Sequence, residues 1–171
     1  VKLKENHLSY SAIQYLHSRS YFKDIEISKN HQVAFDYYKE QATKYWLSQS
    51  RYMQGMIALA LHRYANELVA KDILKSLKEN SISNEELGMY WKENKSGWLW
   101  QEAPIETQAI LMEAFDEVTG NSKAVELMKV WLLKQKQVQD WATTKATAEA
   151  CYALLRRGAD WLESSNLVGI T

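Results

Sequence analysis

The chain has 171 residues, 46% of them apolar, with one cysteine and one proline. That is enough for one domain around one core, and it rules out an internal disulfide. Lysine plus arginine number 21 and aspartate plus glutamate number 21, so the formal net charge is zero. A nucleic-acid binder needs a basic field to neutralise phosphates, and a peripheral membrane protein a polybasic patch; this balance supplies neither.

No apolar run approaches the length of a membrane span. No export signal is visible, and the chain begins at Val1 rather than Met, which reads as a piece of a longer protein. One proline and six glycines leave little turn chemistry for a β-sandwich.

In chain order, Leu8, Ala12, Tyr15 and Leu16 predict a helix over about residues 6–18. Tyr21 to Ile27 reads as a loop or short extended piece. Phe35, Tyr38, Ala42, Tyr45 and Trp46 mark a second helix over about 31–47, and a third follows over about 50–64. Asn66 is placed to cap a fourth, whose face is Val69, Ala70, Ile73, Leu74 and Leu77, ending near Asn80.

Residues 81–103 break the helical period. Asn94-Lys95-Ser96-Gly97 reads as a turn between Met89-Tyr90-Trp91 and Trp98-Leu99-Trp100, so a small hairpin or ordered loop is expected. Pro104 sits where a fifth helix starts, at the position where its missing N–H is harmless, and Gly120 closes that helix. Asn121 or Ser122 caps a sixth, with Ala124, Leu127, Met128, Trp131 and Leu132 on its face. Apolar residues around so much of its girth predict packing on more than one side. Thr143 or Thr144 caps a seventh. The β-branched tail Asp160-Trp161-Leu162 to Thr171 reads as a strand leaving toward another domain.

One stripe occurs three times at helical spacing: Met53, Met56, Ile57, Ala60, Leu61, Tyr64; Thr107, Ile110, Leu111, Ala114, Phe115, Val118; and Thr147, Ala150, Cys151, Leu154, Leu155. Each set lies on one helix face. Recurrence after roughly fifty and then forty residues is the spacing of stacked helical hairpins. The fold class expected is all-α: an αα-hairpin array over residues 1–160, curved as part of an α/α toroid, followed by the strand-like tail at 161–171.

No complete catalytic motif sits on this scaffold. Cys151, between Ala150 and Leu154, is expected to be a buried small hydrophobe. The histidines, His7, His17, His31 and His62, lack metal-ligand spacing and are expected at the surface; no metal or cofactor is implied. Glu106, Asp116, Asp36 and Glu149 invite comparison with α/α-toroid glycosidases and lyases, where acids at helix ends do acid–base work. For Glu106 the preferred expectation is the routine one, that its charge favours a helix N-terminus. The aromatic group Tyr90, Trp91, Trp98 and Trp100 would stack sugars in such an enzyme; packing against a neighbouring domain or partner is the preferred expectation. Lys145, Arg156 and Arg157 read as solvated.

The run Trp141-Ala142-Thr143-Thr144-Lys145-Ala146-Thr147-Ala148-Glu149-Ala150-Cys151-Tyr152-Ala153-Leu154-Leu155 resembles the last inner helix of the thioester-type α-helical domain of the complement and alpha-2-macroglobulin family. Pro104 to Leu111 is similar to the preceding inner helix, and Trp131-Leu132-Leu133-Lys134-Gln135-Lys136 to the outer-helix end between them in bacterial members. The likeness is best over residues 98–171. It implies part of a helical toroid in a bacterial cell-envelope protein, exported and periplasmic or membrane-anchored, that traps proteases after they cut a bait region. The implied partners are flanking β-domains and trapped proteases, and the implied role is packing rather than catalysis. The family's thioester needs Cys-Gly-Glu-Gln; Cys151 is followed by Tyr152, Ala153 and Leu154 and cannot form it. Two alternatives remain: half of an α/α-toroid carbohydrate-active enzyme, or a helical-repeat interaction module, whose regular period this chain does not keep. A half-toroid would expose inner-helix surface, so the fragment is expected to dimerise through it or to be marginally stable.

Overall fold

The computed structural model describes residues 5–92, 103–138, 141 and 143–156. They form seven helices and one two-stranded sheet, which agrees with the all-α expectation. The tail at 161–171, Arg157, Trp98, Trp100 and the Asn94–Gly97 turn lie outside the described residues.

Helices α1 (Tyr10–Arg19), α2 (Lys29–Tyr45), α3 (Arg51–Arg63) and α4 (Glu67–Glu79) come first, with a short 3-10 turn at Trp46–Ser48. Strands β1 (Ile82–Asn84) and β2 (Gly88–Tyr90) follow, then α5 (Pro104–Ala114), α6 (Ser122–Val138) and α7 (Thr144–Leu155). The odd-numbered helices pack in succession, α1 on α3, α3 on α5 and α5 on α7. Helices α2, α4 and α6 each pack on the odd-numbered helix before them.

The burial of each helix follows from its place. Tyr52 to Leu61 of α3 and Ile105 to Phe115 at α5 are buried continuously. Both have neighbours on three sides, and a helix apolar over most of its girth is stable only in such a position. Amphipathic α4 buries only Ala70, Ile73, Leu74 and Leu77, one stripe at 3.6 spacing. The third stripe departs from expectation. On α7 only Ala146, Ala150 and Ala153 are buried, while Cys151 and Leu155 are exposed. Among the described residues α7 packs chiefly on α5, so half of its girth faces outward.

Cap chemistry sets several boundaries. The hydroxyls of Ser9, Ser50 and Thr143 accept the N–H of the third residue onward, the usual N-cap bond. Asn121 does the same for α6 through Oδ1 and the Ala124 N–H. Pro104 is the first residue of α5, and Gly120, with φ +58°, closes the π turn (Phe115–Thr119) after it. Asn66 precedes α4 as expected but makes no cap bond; its side chain donates to Thr43 Oγ1 at 3.2 Å instead. The α3–α4 turn is a Schellman motif. The Asn66 N–H bonds Leu61 O at 2.8 Å and the Ala65 N–H bonds His62 O at 2.9 Å, with Ala65 at φ +62° where glycine is usual.

A hairpin lies just before the turn expected at 94–97, in a stretch where none was expected. Ile82 pairs with Tyr90 and Asn84 with Gly88 in antiparallel register. Gly88 has φ +80°, and a Cβ there would stand 2.2 Å from the Leu127 carbonyl oxygen. Only glycine lets β2 lie this close against α6. Trp91, expected among the partner-facing aromatics, is 2% exposed and donates its indole N–H to Leu77 O at 2.8 Å. It belongs to the core. Tyr90 stacks on Trp131, ring centroids 6.0 Å apart, which fastens the hairpin to α6.

Candidate functional site

The C-terminal ends of α1, α3, α5 and α7 meet at one end of the molecule, where they bring together charged residues far apart in sequence. Helix C-termini carry partial negative charge, so Arg63 and Arg156 are favourably placed there and Glu113, Asp116 and Glu117 are not. The acids are tolerated because the arginines reach them. Arg63 Nε lies 2.6 Å from Glu117 Oε1, and its Nη2 lies 2.8 Å from Glu117 Oε2 and 2.9 Å from Glu113 Oε1. Its Nη1 donates to Ser20 Oγ at 3.2 Å, and the guanidinium lies 4.0 Å from the Tyr21 ring centroid.

Arg156, expected to be solvated, is the second cation of this cluster. Its Nη2 donates to Glu117 Oε2 at 2.7 Å, and Nε sits 3.7 Å from Asp116 Oδ2. Its Nη1 lies 2.6 Å from Glu113 Oε1, a charge contact rather than an aligned hydrogen bond. Burial opposes ionisation of Glu117, but hydrogen bonds and charge from Arg63 and Arg156 outweigh it and hold the carboxyl at about 2. The same contacts raise both arginines above their ordinary value despite burial.

Beside the cluster is a hollow of about 190 Å³ where α1, α3, α5 and α7 converge. Met56, Ala109 and Ile110 give it an apolar lining, Tyr52 and Tyr152 line it with aromatic rings, and His17, Glu113 and Glu149 supply polar atoms. His17, expected at the surface, is 9% exposed. Burial, with the Arg63 charge adding to it, pushes its imidazole down to about 4, so it is neutral at pH 7. Tyr21 stands edge-on to it, hydroxyl 3.5 Å from Nε2. That hydroxyl donates to Glu113 Oε1 at 3.0 Å. Lys145 bonds Glu149 and lies 5.6 Å over the Tyr52 ring. Burial and then the Glu149 charge push the Tyr52 phenol well above its ordinary value. A larger hollow of about 250 Å³, between the 3-10 turn and the end of α4, is lined by neutral side chains and Arg51, with no acid or imidazole.

Of the acids singled out from sequence, the structure brings Asp116 to the cluster and Glu149 to the pocket. Glu106 is 3% exposed in the first turn of α5 and accepts from Thr143 Oγ1 at 3.5 Å. Asp36 is on the surface of α2, 3.6 Å from Lys39. Cys151 is exposed, not buried as expected. Among the described residues no group of three His, Cys, Asp or Glu side chains is placed to hold a metal ion, and no helix is long and apolar enough to cross a membrane. Sequence reasoning missed Arg63, Glu113, Glu117 and His17. One signal was present: Glu113 and Glu117 are like charges at i, i+4, a pair that costs stability unless cations reach it from elsewhere.

Comparison with protein-family models, curated proteins and solved structures finds no match to this chain.

Proposed function

We propose that this chain is a structural packing domain of a bacterial, cell-envelope protein of the alpha-2-macroglobulin kind, which traps proteases. In this reading the helices are an αα-hairpin array forming part of an α/α toroid, with α1, α3, α5 and α7 as inner helices and α2, α4 and α6 outside them. The observation that carries it is the correspondence of order and place. The two runs that resemble successive inner helices of that family fall on α5 and α7, which pack side by side, and the run resembling the intervening outer helix falls on α6.

The ion cluster fits a packing role, since it ties four helix ends together with side chains that are already bonded to one another. Flanking β-domains would pack against the exposed helix faces, and the parent would be exported to the envelope. Cys151 has no partner glutamine three residues on, so this chain supplies no thioester for covalent capture.

The test is to mix the native protein that carries this chain with chymotrypsin and assay the protease twice. Entrapment predicts lost activity on a large protein substrate with activity on a small peptide ester retained. Unchanged activity on both, with the bait region cleaved, would refute the reading.

A further inference from the structure

We propose that the pocket between α1, α3, α5 and α7 binds the primary ammonium group of a small alkylamine, with Glu113 and Glu149 as its acceptors and Tyr52 and Tyr152 about its stem. The site is independent of the protease-trap reading.

The first observation is the asymmetry of Glu113. Its side chain is 7% exposed. The contacts from Tyr21, Arg63 and Arg156 all go to Oε1 and leave Oε2 to other donors. Each carboxylate oxygen is an acceptor, so a donor entering the pocket can use the one these side chains leave. Glu113 lines the pocket.

The second observation is what else lines the pocket. Glu149 is a second carboxylate in the lining, and His17, neutral at pH 7, also lines it with Nε2 toward the Tyr21 hydroxyl. An ammonium carries three donors and no acceptor, which matches a lining of acceptors. A guanidinium fits less well, because its fork needs both oxygens of one carboxylate and Glu113 offers one. The apolar lining and two phenol rings suit a short methylene stem, and ring faces attract a cation.

The third observation is that the protein already sets an ammonium at this place. Lys145 Nζ lies over the Tyr52 ring while paired to Glu149. Its side chain is 43% exposed, so it can turn out to solvent. A bound amine would replace the contacts Lys145 makes with Glu149 and Tyr52 and reach Glu113 as well.

The experiment titrates the 171-residue chain, carrying ¹³C-methyl methionine, with n-pentylamine at pH 7 and follows the Met56 methyl resonance. 1-Pentanol and pentanoate are the neutral and anionic controls. Saturable shifts are expected with the amine and binding about tenfold weaker or worse with the controls. Glu149→Gln should weaken amine binding several-fold. Lys145→Met should tighten it, because the internal competitor is gone. Both positions are partly exposed, so neither change threatens the fold. Equal binding of 1-pentanol, no saturation, or weaker binding by Lys145→Met would overturn the site. Tighter binding of Nα-acetyl-lysine amide than of pentylamine would overturn the small-amine source and assign a lysine side chain of a partner instead.

Discussion

Arg63 meets Glu117 side-on, Nε 2.6 Å from one carboxylate oxygen and Nη2 2.8 Å from the other. This bidentate pair joins the last residue of α3 to the π turn after α5, and both helices are central to the core. The Arg63 side chain is 9% exposed, so its charge is sustained by its partners rather than by water.

Removing that cation leaves the buried Glu113 and the half-buried Glu117 carboxylates each short of a partner. Arg63→Met should destabilise the protein by about 3 kcal/mol, as measured by urea unfolding. Arg63→Lys keeps the charge but loses the fork and should still cost about 1–2 kcal/mol. An Arg63→Met variant as stable as the parent would show that the cluster contributes nothing to the fold.

Arg156 acts on a different part of the molecule. Helix α7 packs chiefly on α5, and Arg156 ties its end to Glu113 and Glu117. Arg156→Ala should cost about 1–2 kcal/mol, with the loss localised. Amide hydrogen exchange should quicken across Thr144–Leu155 and stay unchanged in α3. Uniform quickening in both helices would mean that α7 is not a separately opening unit.

Acid should weaken the fold in two stages. His17 is held at about 4 against an ordinary 6.5, and Glu117 at about 2 against 4.5. Both folded-state values are lowered, so the unfolded chain binds more protons and stability falls as pH falls. The His17 contribution is fully present above 6.5 and lost by about 4; that of Glu117 is lost between 4.5 and about 2. The first amounts to about 3 kcal/mol, and the second, discounted for solvent screening, to ~1–2 kcal/mol. His17→Gln should flatten the pH profile of the unfolding midpoint above pH 4 and leave the lower stage intact.

Two backbone positions with positive φ should respond in opposite directions. Ala65 occupies the left-handed position of the α3–α4 turn at φ +62°. Ala65→Gly should raise stability by about 1 kcal/mol. Gly88→Ala places a Cβ 2.2 Å from a backbone oxygen of α6 and should cost about 3 kcal/mol or more, unseating the hairpin. Thermal melts of the two variants give the comparison directly.

Much of the fold was legible because local rules decide it. Apolar spacing marked the helices, and Pro104, Gly120 and Thr143 fixed ends through φ, the missing N–H and the cap hydroxyl, all properties of the residue itself. The sequence by itself determined that this chain is helical, where most of its helices run, and that it carries no excess charge. What surrounds a helix is not a local property. Cys151 lies on the same kind of stripe as Ile57 and Leu111, yet it is exposed and they are buried, because α3 and α5 have neighbours on three sides whereas α7, among the described residues, packs chiefly on one helix. His17, Arg63, Glu113, Glu117 and Arg156 are spread over three helices, the π turn and the residue that ends α7, and apart from Glu113 and Glu117 nothing in their spacing joins them. Only the tertiary structure, by bringing the ends of alternate helices together, made of them one charge cluster beside one pocket.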